Sequence, residues 1–175
     1  MDHEDHIRLI REGVAGGGMV WADLGSGGGA FTLALADLLG PGGTIYSVDR
    51  DAGALRTQLQ ALSERFAAVT VHRVVADFAH PLELPMLDGI VMANSLHFQP
   101  DKHALLTLVR SYLRDGARLL LVEYDTDSGS PWVPYPLSFQ TWQTVAADAG
   151  FRETRRLGQI PSRFLGSIYS ALSLR

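Results

Sequence analysis

The chain has 175 residues, enough for one domain and too few for two of ordinary size. Hydrophobic residues make up 46% and charged residues 19%, which excludes a disordered chain, and the absence of cysteine removes disulfides, thiolate metal sites and cysteine nucleophiles together. A formal net charge of −4 argues against a grip on nucleic acid driven by bulk charge, so no nucleic-acid partner is expected.

The first six residues, Met1-Asp2-His3-Glu4-Asp5-His6, are acidic and polar where a secretory signal is basic and then apolar. No apolar run reaches the ~20 residues that a membrane helix needs, so a cytoplasmic protein without a membrane partner is expected. A short helix is predicted over about Asp5 to Gly13, ahead of a flexible run at Gly16-Gly17-Gly18. His3 and His6 stand three residues apart near its start; exposure to solvent is the plainer reading of the pair, and no metal site is assigned.

From Met19 onward the chain reads as one domain. Met19 to Leu24 is a short apolar strand that runs into glycines. Ala30 to Leu39 is a helix apolar nearly all round, as expected of one packed on a sheet. Gly40-Pro41-Gly42-Gly43 ends it. Thr44 to Val48 is a β-branched and aromatic strand, and Asp51 to Phe66 a helix with Leu55, Leu59 and Leu62 at helical spacing. Val69 to Val75 and Asp88 to Ala93 are strands. Asp101 to Arg114 is a helix, with Asp101 its N-cap and Gly116 its stop. Arg118 to Tyr124 is a strongly apolar strand, followed by a loop of Pro, Ser, Gly and aromatic residues from Asp125 to Leu137. Ser138 caps a helix that ends at Gly150, and Phe151 to Leu157 and Phe164 to Leu174 are the closing strands.

Strands alternating with helices require right-handed crossovers and a parallel sheet, and continuous apolar strands imply helices on both faces. The connection from Gly158 to Arg163 is too short for a parallel crossover, so the last two strands pair antiparallel. The expected class is α/β: a doubly wound, mostly parallel sheet of seven strands with an antiparallel C-terminal strand.

The sharpest local feature is Asp23-Leu24-Gly25-Ser26-Gly27-Gly28-Gly29, between the first strand and the first helix of that domain. Its glycines allow positive φ and let a ligand touch backbone, and the helix behind it offers free N–H groups. Asp23 would repel a phosphate there, whereas a zwitterion with an ammonium and a carboxylate would use both features. Asp49 ends the second strand, twenty residues beyond Gly29, where doubly wound sheets reach ribose hydroxyls. Asp77-Phe78 follows the third strand, where a carboxylate can accept from an adenine amino group.

The segments VWADLGSGGGAFTLAL, YSVDRD, VVADF, DGIVMANSLHF and LRDGARLLLVEY resemble the class I methyltransferases that use S-adenosylmethionine, a Rossmann-like family, over roughly Met19 to Tyr124. The resemblance implies that Gly25, Ser26, Gly27 and Gly29 line the methionine part of the cofactor and that Asp23 serves its amino group. It implies that Asp49 holds both ribose hydroxyls, with Arg50 beside the adenine. Asp77 would bind the adenine amino group, the Phe78 N–H a ring nitrogen, and Asn94 the methionine end. Gly28 stands where many members carry a larger residue.

A sulfonium methyl is already a good electrophile, so the expected reaction is in-line displacement by a small-molecule acceptor, with alignment the main contribution. A base helps only where the acceptor must lose a proton, and His97 and Tyr124 are the catalytic candidates. His97, Phe98, Glu123, Tyr124, Trp132 and Tyr135 are the expected acceptor-pocket residues. The short N-terminal segment suggests an open pocket or one completed by a second copy, so a homodimer is a candidate state. Two other readings stay open. Gly25-Ser26-Gly27-Gly28-Gly29-Ala30 also satisfies the Gly-x-Gly-x-x-Gly/Ala loop of NAD-dependent oxidoreductases, although no Tyr-x-x-x-Lys pair occurs and Lys102 is the sole lysine. A non-catalytic binding module of the same fold is the other. Asn94-Ser95-Leu96-His97 lacks the Asn/Asp-Pro-Pro-Tyr pattern of nucleic-acid methylation and favours a small-molecule acceptor.

Overall fold

The computed structural model describes residues 1–14 and 19–175. In chain order its elements are α1 (His3–Ile10), β1 (Val20–Leu24), α2 (Ala30–Leu39), β2 (Thr44–Asp49), α3 (Ala52–Arg65), β3 (Thr70–Val75), β4 (Leu87–Ala93), α4 (Lys102–Tyr112), β5 (Leu113–Tyr124), α5 (Phe139–Asp148), β6 (Arg152–Pro161) and β7 (Ser167–Leu174). Short 3-10 turns at Arg11–Gly13 and Leu96–Phe98 extend α1 and follow β4. The glycine run expected to be flexible, residues 16–18, lies outside the described residues.

The seven strands form one sheet in the order β3-β2-β1-β4-β5-β7-β6. Neighbours are parallel except at β7, which runs antiparallel to β5 and to β6. The chain steps outward from β1 to β3 and then returns to lay β4 on the other side of β1. Strand order therefore reverses between β1 and β4, and such a reversal opens a crevice at the carboxyl ends of the strands.

Alternate residues of the central strands feed two cores. Ile90, Met92, Leu119 and Leu121 pack with Leu106, Val109 and Trp142 of α4 and α5. Val91, Leu120 and Val122 pack on the other face with Ile7, Ile10, Leu35 and Leu39 of α1 and α2. Burial on both faces explains why these strands are apolar throughout. Trp21 is fully buried, and a Cβ at Gly89 on the neighbouring strand would stand 2.4 Å from its ring, so glycine is what lets β1 and β4 pair there. No described helix is long and apolar enough to cross a membrane.

The two expected caps are present: Asp101 accepts from Ala104 N and Ser138 from Thr141 N. Asp51, expected as the first residue of α3, is its cap instead and accepts from Gly53 N and Ala54 N. The N-terminal helix starts earlier than expected because Asp2 and Asp5 form a reciprocal capping box. Two expectations are corrected. Gly116 does not stop α4, which ends at Tyr112; it lies inside β5 at φ 75°, where the pairing shifts from Leu87↔Leu113 to Gly89↔Arg118. The buried stripe of α3 is Leu55, Gln58 and Leu62 rather than Leu55, Leu59 and Leu62. A polar residue thus occupies an inward position.

Candidate functional site

The glycine loop leaves β1 at the reversal point. Gly25, Gly27 and Gly29 have φ of 81°, 50° and 85°, conformations that side-chain-bearing residues rarely adopt. A Cβ on Gly25 would meet Ser95 Cβ at 2.5 Å, so β4's trailing loop presses against bare backbone there. Gly25 N and Ser26 N donate to Val48 O at 2.9 and 3.0 Å, and Gly27 N donates to Asp49 Oδ2 at 2.7 Å. The loop is thus tied to the end of β2. Behind it, α2 starts at Gly29 with neither a side-chain cap nor an acidic residue in its first turn. The N–H groups of Ala30 and Phe31, which line the first cleft, thus start the helix with no side-chain cap.

Asp23, the penultimate residue of β1, is 1% exposed. Its Oδ2 accepts from the Thr32 hydroxyl at 2.7 Å, while its Oδ1 has no partner. Burial pushes its carboxyl up to about 7, helped by the nearby Asp49 and opposed by the Thr32 hydrogen bond. Asn94, just past β4, adopts φ 51° and also buries an Oδ1 without a partner. Buried oxygens left unpaired are costly, and two in one crevice mark the place for a hydrogen-bond donor.

Two clefts meet at the loop. The first, about 550 Å³, is lined by Asp23, Gly25, Ser26, Gly27 and Asn94, with Met1, His3 and His6 of the N-terminal segment and Phe31 opposite. The second, about 480 Å³, is lined by Asp49, Arg50, Asp77, Phe78, Asn94 and Phe98 together with Gly25 and Gly27. Gly25, Gly27 and Asn94 line both. The three strand-end carboxylates therefore do not share one cleft: Asp23 belongs to the first, Asp49 and Asp77 to the second. A ligand reaching all three must be elongated, with a cationic end near Asp23 and Asn94 and a hydroxylated, planar end near Asp49 and Asp77. An ammonium, a ribose and an adenine fit that sequence of partners. Asp49 accepts from Gly27 N and Asp51 N, one bond per oxygen, and each oxygen keeps a lone pair for a hydroxyl. Asp77 uses Oδ1 to accept from Ala79 N.

The expected acceptor-side residues separate. His97 is 3% exposed; its Nδ1 lies 2.7 Å from Glu123 Oε2, and its backbone N donates to Glu123 Oε1 at 3.2 Å. Glu123 is fully buried with both oxygens engaged by His97, so it is the partner of His97 and not a pocket wall. The His97 ring sits between Phe98, at 4.3 Å, and Tyr124, at 6.1 Å between centroids. Burial and Glu123 raise the Tyr124 phenol above its ordinary value, so it is a donor at neutral pH. Phe98 lines the second cleft; Tyr124, Tyr135 and Trp132 line neither, and Trp132 is 76% exposed. Tyr135 N donates to His97 O, tying the loop after β5 to the turn after β4.

Several residues of the site escaped sequence reasoning. Thr32 and Ser95 touch Asp23 and the loop, and Gln58 and Ser47 lie beneath it. The signal for Gln58 was its place between Leu55 and Leu62 on the inward stripe. His6, read as solvent-exposed, instead lines the first cleft and packs its ring at a tilt of 60° against Phe31, 4.8 Å between centroids, and burial lowers its basicity. His3 pairs with Asp37 at 3.2 Å.

The sequence model of the family described as "Methyltransferase domain" matches residues 16–156. No curated protein matches the sequence. A SAM-dependent methyltransferase from Aquifex aeolicus is 20% identical, with a TM-score of 0.74 over 97% of this chain and 89% of its own. Magnesium protoporphyrin IX methyltransferase from Synechocystis PCC 6803, solved with bound SAM, is 20% identical, with a TM-score of 0.73 over 99% of this chain and 77% of its own. The YcgJ protein from Bacillus subtilis is 14% identical, with a TM-score of 0.73 over 98% of this chain and 97% of its own. Likeness at these identities establishes the fold.

Proposed function

The chain belongs to the methyltransferase-domain family of enzymes, and from that premise we propose that it moves the methyl group of S-adenosylmethionine to a small-molecule acceptor. The observation that carries this reading is the pair of clefts joined at Gly25, Gly27 and Asn94, with two unpartnered buried oxygens in the first and two carboxylates in the second. Bound across them, S-adenosylmethionine supplies a methyl group activated by a sulfonium.

Asp23 and Asn94 accept from the ammonium end, and the bare backbone from Gly25 to Gly29, Ser26 included, lets the methionine part approach. Asp49 takes the ribose hydroxyls through its free lone pairs. Asp77 and the Phe78 N–H read the adenine edge, with Arg50 beside it. The chain's main contribution to rate is alignment, because the donor needs no acid catalyst. The acceptor approaches from the rim carrying His97, Phe98, Tyr124, Trp132 and Tyr135. Glu123 holds the Nδ1 side of His97, leaving Nε2 to take a proton where the acceptor must lose one, and the neutral Tyr124 phenol orients the acceptor by donation.

Calorimetry with S-adenosylhomocysteine and with NAD tests the donor half: binding of the first and not the second is expected. A screen of small-molecule acceptors with donor carrying a labelled methyl group tests the other half. Label transfer only to protein or nucleic acid would refute the small-molecule assignment.

A further inference from the structure

The glycine loop has little rigidity of its own, yet it must present its backbone in one conformation. Gly27 is gripped on both sides: its N–H donates to Asp49 Oδ2 at 2.7 Å, and its carbonyl accepts from Gln58 Nε2 at 3.3 Å. Gln58 projects from α3, is 2% exposed, and also donates through Nε2 to Ser26 Oγ at 3.1 Å. Ser47 Oγ, on β2 and fully buried, lies 3.1 Å from Gln58 Oε1 and 2.8 Å from Ser26 Oγ.

The amide nitrogen donates to Ser26 Oγ and to the Gly27 carbonyl, and the Ser47 hydroxyl donates toward Ser26 Oγ and the amide oxygen, so each side chain of the group is held by the others. Flipping the amide would set its oxygen against the Gly27 carbonyl, so the carbonyl fixes its orientation. The approach is close as well: a Cβ on Gly29 would stand 2.5 Å from Gln58 Cβ. An apolar residue in place of Gln58 would leave the two serine hydroxyls short of partners in a dry site. Gln58 lines neither cleft, so its effect on a ligand passes through the loop.

We propose that Gln58 is a positioning residue for the cofactor site, which with Ser26 and Ser47 fixes the Gly27 backbone and so sets the affinity for an adenosyl ligand without touching it. This rests on the reading of the loop as the donor's cradle.

The test compares the full chain with Gln58→Met, Ser47→Ala and Leu59→Ala. Leu59 lies on the same helix, half-buried and outside the network, and controls for general loss of stability. The readouts are calorimetry with S-adenosylhomocysteine and the backbone amide spectrum with its hydrogen exchange. Gln58→Met is expected to weaken binding about five- to tenfold, the effect of one buried hydrogen bond with a neutral partner. Ser47→Ala should act in the same direction and serves if Gln58→Met fails to fold. Amides of residues 25–29 should shift and exchange faster in both, while those of β4 and β5 stay protected. Binding within twofold of wild type in both variants, or equal weakening in Leu59→Ala, would overturn the proposal while leaving the donor assignment standing. Failure of the wild-type chain to bind would overturn both.

Discussion

Asp23 and Asn94 approach one cleft from two neighbouring strands, β1 and β4, each with a buried Oδ1 that accepts no hydrogen bond. The two strands are adjacent only because chain order reverses between them. A topological feature of the sheet thus creates a site whose unmet acceptors suit an ammonium group.

The raised carboxyl of Asp23 makes that site pH-dependent. A folded value of about 7 against the ordinary carboxyl value of 3.8 means that the folded chain holds the proton more tightly than the unfolded one. Asp23 therefore contributes a stability loss that develops as pH rises through this window and is complete above about 7. A bound ammonium favours the carboxylate, so affinity for S-adenosylhomocysteine should rise about tenfold between pH 6 and pH 8. Asp23→Asn should flatten that dependence, weaken binding, and raise the thermal midpoint of the unliganded protein at pH 8. Calorimetry across pH and thermal unfolding measure both effects; an unchanged pH slope in the variant would remove Asp23 from the site.

Two glycines of the loop should behave differently. Gly25 has φ 81° and meets Ser95 where a Cβ would stand, so Gly25→Ala combines backbone strain with a clash. It should cost about 1–3 kcal/mol of stability and abolish measurable ligand binding. Gly28 has no positive φ and nothing within 4 Å of its would-be Cβ, so Gly28→Ala should fold with wild-type stability. Urea titration of the pair decides this, and equal loss in both would contradict the loop geometry.

His97 and Glu123 are buried together and separated by 2.7 Å. Glu123→Ala strands a buried imidazole and a backbone N–H, and should cost about 1–3 kcal/mol. His97→Gln should slow turnover at least about tenfold if its Nε2 takes the acceptor's proton. Unchanged turnover would leave the pair a purely structural tie between β5 and the turn after β4.

Much of the fold was legible because its signals are local. The caps Asp101 and Ser138, the glycine loop, and the short connection before the last strand each fix structure within a few residues. Asp23, Asp49 and Asp77 were readable as strand-end residues for the same reason. Their division between two clefts was not, since it depends on where Asn94 and the loop divide the crevice. The His97–Glu123 pair joins residues 26 positions apart, and the Gln58 bond to Gly27 joins residues 31 apart. Contacts of that kind leave only faint marks, such as a glutamine on an inward stripe. Gly116 misled because glycine after a helix usually ends it, whereas here the bulge in β5 needed the left-handed conformation.

The most direct measurement is the affinity of the chain and its Asp49→Ala variant for S-adenosylhomocysteine by calorimetry. Asp49 both grips Gly27 and faces the second cleft, so wild-type binding that falls at least about tenfold in the variant is expected, given ~1.5–3 kcal/mol for a hydrogen bond to a charged group. No wild-type binding, or equal binding by both proteins, would contradict a donor site spanning the two clefts.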